Sequence, residues 1–166
     1  MDSLKAIRTR RSIRKFKDKA VTDEIINKII AAGTWAPFGR NQLWRFAIIR
    51  NKDIKSKIAK LTVYSKIIKN APVIIAVFFD HRLAYHEIKD AQTMGACIQN
   101  MLLAIHGLGL AAVWIGEILK NSKTVQKLCK APETYDLSAV IALGYGNEDG
   151  KVIKRDGLDK VVFLRE

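Results

Sequence analysis

Arginine stands at positions 10, 11 and 14, with Ser12 between them, just past a short helical pattern. Guanidinium groups present planar forks of N–H donors that match phosphate oxygens, and a serine hydroxyl adds one more donor. Lys154 and Arg155, near the other end of the chain, are further basic groups able to close on a phosphate. The loop 36–44, Ala-Pro-Phe-Gly-Arg-Asn-Gln-Leu-Trp, combines Gly39, beside which a ligand can reach the backbone, with the amides of Asn41 and Gln42. Trp114, Ile115 and Gly116 close an apolar run, the kind of strand end where open sheets set ligands against backbone amides. Taken singly, each group also reads as a solvated basic turn or a plain loop.

Other chemistries have little to stand on. No Ser/His/Asp or Cys/His arrangement has suggestive spacing, and His81, His86 and His106 form no i,i+4 metal pair. His106 lies in an apolar helical pattern and reads as a core or interface histidine. Cys97 and Cys129 make neither a disulfide framework nor a metal cluster, and read as two buried thiols in a reducing compartment.

The elements that must position these groups follow from periodicity. A helix is predicted over 3–9, and a second opens at Thr22, Asp23 and Glu24, turns Ile25, Ile26, Ile29 and Ile30 inward, and ends at Gly33 and Pro37. Residues 44–50 read as a strand, and Asp53 as the cap of a basic helix running through Ile58 and Leu61 to Lys69. The run 72–79 is apolar on both faces, as in a central strand covered on two sides. A helix spans 87–107, too hydrophobic all round for the surface of a small monomer and so either at the centre of the core or, the preferred reading, at a subunit interface, with small residues Ala91, Gly95 and Ala96 that would let another helix approach. Strands follow at 111–115 and 138–143, a helix over 122–130 lies between them, and a last strand is placed at 161–164. Alternating helices and apolar strands without a linker predict a single α/β or α+β domain over 1–166 with one main sheet.

The chain carries 29 basic and 16 acidic residues, a formal charge of +13, and residues 1–69 hold 18 of the former against 5 of the latter. Such a balance suggests a polyanionic partner, yet no DNA- or RNA-binding signature accompanies it. Lys52, Lys55, Lys57, Lys60, Lys66 and Lys69 read as a solvated face. The longest unbroken apolar run, 71–79, is too short to span a bilayer as a helix, and arginines interrupt the first apolar residues where a signal peptide would be, so a cytoplasmic protein is expected.

Read in order, five segments resemble the FMN-dependent nitroreductase family: RRSIRKF at 10–16, APFGRNQLWRF at 36–46, APVIIAVFFD at 71–80, GACIQNMLLAIHGLGLAAVWIGEI at 95–118 and AVIALGYGNEDG at 139–150. The resemblance implies an α+β three-layer sandwich with a mostly antiparallel central sheet flanked by helices, in a homodimer with shared active sites. It implies FMN as cofactor and NAD(P)H as reductant, in a two-step cycle that passes electrons to nitroaromatic, quinone or similar small-molecule acceptors, with no nucleic-acid or membrane partner. A dehalogenating or flavin-processing relative would share the same FMN site.

By the same resemblance, Arg10, Ser12 and Arg155 stand where the family binds phosphate, and Arg11 at a variable basic position beside them. Arg14 stands near the pyrimidine edge of the flavin. Pro37, Phe38, Gly39 and Asn41 fall in the loop that reaches the ring and ribityl chain from the partner subunit, and Ile115 and Gly116 match the strand end whose backbone meets the flavin. Phe38 replaces the usual serine, and the loop is one residue shorter than the family's Ala-Pro-Ser-Gly-x-Asn-x-Gln-Pro-Trp, which leaves Gln42 and Leu43 without an assigned role. Ile153 occupies a place where the family often has lysine, with Lys154 as the substitute. Tyr85 and His86, in the polar stretch before the long helix, are the candidates for the acceptor side.

Overall fold

The computed structural model describes residues 2–166. At its centre an antiparallel sheet runs in the order β1-β2-β4-β3, formed by β1 (Trp44–Ile49), β2 (Val73–Asp80), β3 (Ala111–Ile115) and β4 (Tyr135–Gly144). β2, the strand apolar on both faces, is one of the two central ones, and its alternate side chains bury into different layers. Val73, Ile75 and Val77 point toward α2 (Asp23–Thr34) and α5 (Glu87–Gly107). Ile74, Ala76 and Phe78 point toward α3 (Lys52–Ala59), α4 (Ser65–Asn70) and α6 (Ser122–Leu128). The result is the expected α+β sandwich of three layers. α1 (Ser3–Thr9) packs against α5, and a single turn, α7 (Leu158–Val161), lies near the C-terminus.

Local chemistry sets the helix ends. Thr22 caps α2 by accepting from the Ile25 amide, with Asp23 and Glu24 in the first turn, as predicted. α5 stops where Gly109 takes φ +76°, which lets the Leu110 amide turn back to the Ile105 carbonyl at 3.0 Å. Gly33 of α2 permits the close crossing with α5, since a Cβ there would sit 2.7 Å from Met101 Cγ. Around Gly95, one of the small residues read as admitting another helix, the space within this chain is open. One face of α5 is buried by Met94, Cys97, Ile98, Met101 and Ile105, while Ile88 on the other is exposed.

Four expectations need correction. The basic helix over 53–69 is two helices, and the cap is Asn51, whose Oδ1 accepts from the Ile54 amide at 3.0 Å. Past Ala59 the amides of Lys60 and Leu61 reach back only three residues, and Thr62 Oγ1 takes the Tyr64 amide while donating to Glu117 Oε2 at 2.5 Å. A threonine hydroxyl competing for backbone in this way breaks the helical ladder. Among the lysines read as solvated, Lys55 is buried and donates from Nζ to the Ala71 carbonyl at 2.5 Å, with burial and then Lys52 pushing its pKa down. No strand forms at 161–164 among the described residues: the segment begins in α7, nothing pairs with it, and Phe163 is 99% exposed. The strand read at 138–143 is longer, since Tyr135 to Leu137 continue the pairing with Phe78 to Asp80.

Where β2 ends, Asp80 is fully buried and receives Arg82 in a fork, Nε to Oδ1 at 2.9 Å and Nη2 to Oδ2 at 2.7 Å, with Arg45 at 3.6 Å. The Arg82 hydrogen bonds hold its carboxyl down to about 2. A depressed folded-state value contributes stability above the ordinary 3.8 and loses it as pH falls toward 2. Asp80→Asn is therefore expected to lower the melting temperature at neutral pH, and the gap from wild type should close between about pH 4 and about pH 2 in thermal scans. A gap independent of pH would contradict the assignment.

Candidate active site

The first basic cluster is placed by backbone pairing. Ser12 forms a parallel bridge with Ala112, and the Ile13 amide donates to the Ala112 carbonyl at 3.0 Å. The bond attaches residues 10–14 to the outer edge of β3, the strand at the end of the sheet. Farther along, Phe16 bridges Gly146 and the Lys17 amide donates to the Tyr145 carbonyl at 2.8 Å. At the other end of the chain, Gly150 packs on Arg11 so closely that a Cβ there would overlap the Arg11 side chain, and residues 151–155 are thereby brought alongside.

These contacts enclose a cleft of about 1020 Å³ lined by Arg10, Arg11, Ser12, Arg14 and Arg155 together. Lys154 does not line it. Ile153 and Arg155 do, as expected when alternate residues of an extended segment face one side. Arg11 is braced by its own chain, donating from Nη1 to the Arg8 and Arg10 carbonyls at 2.6 and 2.7 Å. The pKa of Arg10 is lowered by burial, then by Arg11 and Arg155. Cations that disfavour one another in this way are relieved by an anion seated among them.

Ile115 and Gly116 do not line the cleft but lie farther along the same edge. Ile115 lies three residues beyond Ala112, about 10 Å along the strand. Beyond the Ser12 bridge, no strand pairs with the outer side of Val113 to Ile115 among the described residues. Gly116 has φ −91° and room for a Cβ, so glycine is not sterically required there.

The loop of Pro37, Phe38, Gly39 and Asn41 sits elsewhere. It leads into Trp44, which pairs with Phe79, whereas the arginines sit by Ala111, which pairs with Gly144 at the opposite end of the strands. Tyr85 joins this loop: its hydroxyl fills the space where a Gly39 Cβ would go, and its ring faces Arg40 and Lys89. Asn41 donates to the Leu83 carbonyl at 3.2 Å, and Phe38 meets Trp44 edge to face at 5.7 Å. Leu43 is a core residue, and the Gln42 carbonyl accepts from Arg45. His86 precedes α5, and its amide and that of Tyr85 both donate to Asp90 Oδ2 at 2.9 Å.

The nitroreductase family model matches residues 7–64 and 59–145, nearly the whole span of these elements. The chain belongs to the nitroreductase family. Two archaeal proteins provisionally named NADH dehydrogenase/NAD(P)H nitroreductase are similar to this nitroreductase-family chain. One, from Methanothermobacter thermautotrophicus, is 38% identical over 152 residues, 90% of this chain and 80% of that protein. The other, from Archaeoglobus fulgidus, is 32% identical over 159 residues, 93% and 91%. A crystal structure of a provisionally assigned nitroreductase from Desulfovibrio desulfuricans, in complex with FMN, superposes with a TM-score of 0.93 at 40% identity, covering 100% of this chain and 98% of that one. Like these relatives, the chain is an oxidoreductase of the NAD(P)H nitroreductase family, and no helix among the described residues is long and apolar enough to cross a membrane.

Sequence reasoning missed several members of the cleft. Arg8, Lys15, Lys66 and Lys151 also line it. Glu148 is the least foreseeable: in sequence it is one of two acids in a glycine-flanked turn, yet its Oε1 accepts from the amides of Arg14 and Lys15 at 2.8 and 3.2 Å. Those bonds, the Arg14 amide first, hold its carboxyl below the usual glutamate range. Glu148 thus fixes the backbone that carries Arg14. In Glu148→Ala the Arg14 and Lys15 amides should exchange with solvent at least about tenfold faster, while Glu148→Gln, which keeps an acceptor oxygen, should fall between the two. Unchanged protection in Glu148→Ala would remove this role.

Proposed function

We propose that residues 1–166 form one FMN-binding unit that oxidises NAD(P)H and passes the electrons to small acceptors of the nitroaromatic or quinone type. The observation that carries the reading is the gathering of Arg10, Arg11, Ser12, Arg14 and Arg155 in one cleft beside the open edge of β3, with Arg10 disfavoured first by burial and then by its cationic neighbours. The bound FMN of the Desulfovibrio desulfuricans relative supports it.

Flavin supplies the hydride chemistry when bound, and the protein supplies binding, orientation and electrostatics. Arg10, Ser12 and Arg155 hold the phosphate through charge-assisted hydrogen bonds. The outer edge of β3 offers the backbone groups of Trp114, two residues past the Ala112 carbonyl that takes Ile13, and the amide near Gly116, to the remainder of the cofactor. Arg14, its backbone held by Glu148, keeps a permanent charge at the pyrimidine edge. A fixed cation there favours the electron-rich form and raises the reduction potential.

The reading includes a homodimer. Pro37, Phe38, Gly39 and Asn41 lie at the end of the sheet away from the arginines, so within one protomer they are badly placed to meet the same cofactor. A second copy supplies them in our reading, with Tyr85 and His86 beside them on the acceptor side. Exposed Leu4, Ile7, Trp35, Ile88 and Phe163 provide apolar surface for such an assembly. Cytoplasmic placement follows from the need for NAD(P)H.

The purified protein is expected to retain or take up about one FMN per chain, with flavin absorbance that bleaches on adding NADH or NADPH and returns with a quinone. A colourless protein that does not bind added FMN would sink the reading. Arg10→Ala should weaken FMN binding by about 10- to 100-fold, in line with roughly 1.5–3 kcal/mol for a charge-assisted bond. Arg14→Ala should retain more of the cofactor and lower its potential, measurable by dye equilibration.

A further inference from the structure

We propose that His106 is a positioning residue for the anion cluster, tying the last turn of α5 to the last turn of α1 through Thr9 and taking up a proton when a phosphate binds at Arg10, beside Arg11. The inference rests on the FMN reading above and adds to it a residue and a proton.

The geometry starts at Thr9, whose Oγ1 lies 2.7 Å from the Lys5 carbonyl and 2.8 Å from His106 Nε2. A carbonyl can only accept, so the single hydroxyl proton of Thr9 goes to Lys5. Nε2 of His106 must then carry the hydrogen and donate to Thr9, which leaves Nδ1 as the site for any added proton. The bond anchors the end of α1 one residue before Arg10. A cavity of about 220 Å³, lined by Arg10, Arg11, His106, Glu148 and Asp149 among others, puts the imidazole and the cluster around one space.

The charged groups facing His106 are Arg10 and Arg11 from the end of α1, and Glu148 and Asp149 from the turn after β4; β3 and its approach offer only Leu110, Ala111 and Ala112. Burial, then Arg10, then Arg11 lower the pKa of the imidazole, so without an anion it is neutral near physiological pH. A dianionic phosphate among the guanidiniums cancels that repulsion, and a proton from solvent enters at Nδ1. By linkage, a group that gains a proton on binding makes binding tighter as pH falls through its titration.

The test measures FMN dissociation constants by flavin fluorescence for wild type, His106→Gln and His106→Ala at about pH 6 and about pH 8. Glutamine keeps an N–H for Thr9 but cannot titrate, and protonation of the FMN phosphate itself affects all three proteins alike. Wild-type affinity, relative to His106→Gln, should be about fivefold higher at the lower pH, or about 1 kcal/mol, with the two within about twofold at the higher pH. His106→Ala should bind about fivefold more weakly than His106→Gln at both. Parallel pH profiles for wild type and His106→Gln would overturn the coupling, and equal affinities for the alanine and glutamine variants would overturn the anchoring. Should wild type bind no FMN at all, the FMN reading fails first. The inference then stands or falls on NMR of the His106 ring with inorganic phosphate, where an upward shift of its titration midpoint supports it and an unmoved midpoint ends it.

Discussion

One backbone pairing governs the site: Ser12 beside Ala112, closed by the Ile13 amide on the Ala112 carbonyl at 3.0 Å. β3 is an outer strand, and an unpaired outer edge leaves amides and carbonyls seeking partners. The chain covers only its first residues in this way and leaves the rest open. The same pairing sets Arg10, Arg11 and Arg14 at the start of the edge, so an anion bound there, as proposed, would share one line with the open backbone edge. Phe16 at Gly146 and Lys17 at Tyr145 continue the attachment and keep the cluster from swinging away.

Holding several guanidiniums in one cleft costs free energy, and the structure offsets it by local means. Arg11 donates to the Arg8 and Arg10 carbonyls, and Glu148 takes the Arg14 and Lys15 amides while pairing with Lys15 at 3.8 Å. Arg10, partly buried, has no such relief and carries the lowered pKa. The arginine best suited to an incoming phosphate is the one its surroundings satisfy least. Charge elsewhere in the first 69 residues has more ordinary uses: Arg50 pairs with Asp23 at 2.7 Å, and Lys55 is consumed by the Ala71 carbonyl. The net charge of +13 is therefore partly spent inside the fold, and the proposed phosphate site rests on the positions of a few arginines.

What the sequence disclosed depended on how local the determining physics was. α5 was legible to the residue because its apolar spacing runs unbroken from Met94 to Ile105 and Gly109 ends it. β2 was legible because both its faces are buried. The split between α3 and α4 was not, since it turns on Thr62 finding Glu117, a partner 55 residues away. Glu148 was hidden for a like reason, lying 134 residues from the amide it accepts. The choice of Arg155 over Lys154 required knowing which side of an extended segment faces the cleft. The segment 161–164 has the composition of a strand, but composition cannot supply the edge that a strand needs.

In the homodimer proposed above, one site would join groups that lie apart on the sheet. Its strands carry the arginines at the end where Ala111 meets Gly144, and the 37–41 loop with Tyr85 at the end where Trp44 meets Phe79. Both groups are held to their own protomer, the first by the Ser12 bridge and the second by Asn41 on Leu83 and by Gly39 under the Tyr85 hydroxyl. Neither can cross the sheet without breaking those contacts. If both serve one flavin, as proposed, they must come from different copies, and the open face around Gly95 on α5 is then the natural place for the copies to meet. A monomeric protein with full flavin affinity would place the whole site on the β3 edge and leave the loop as a local brace for Tyr85.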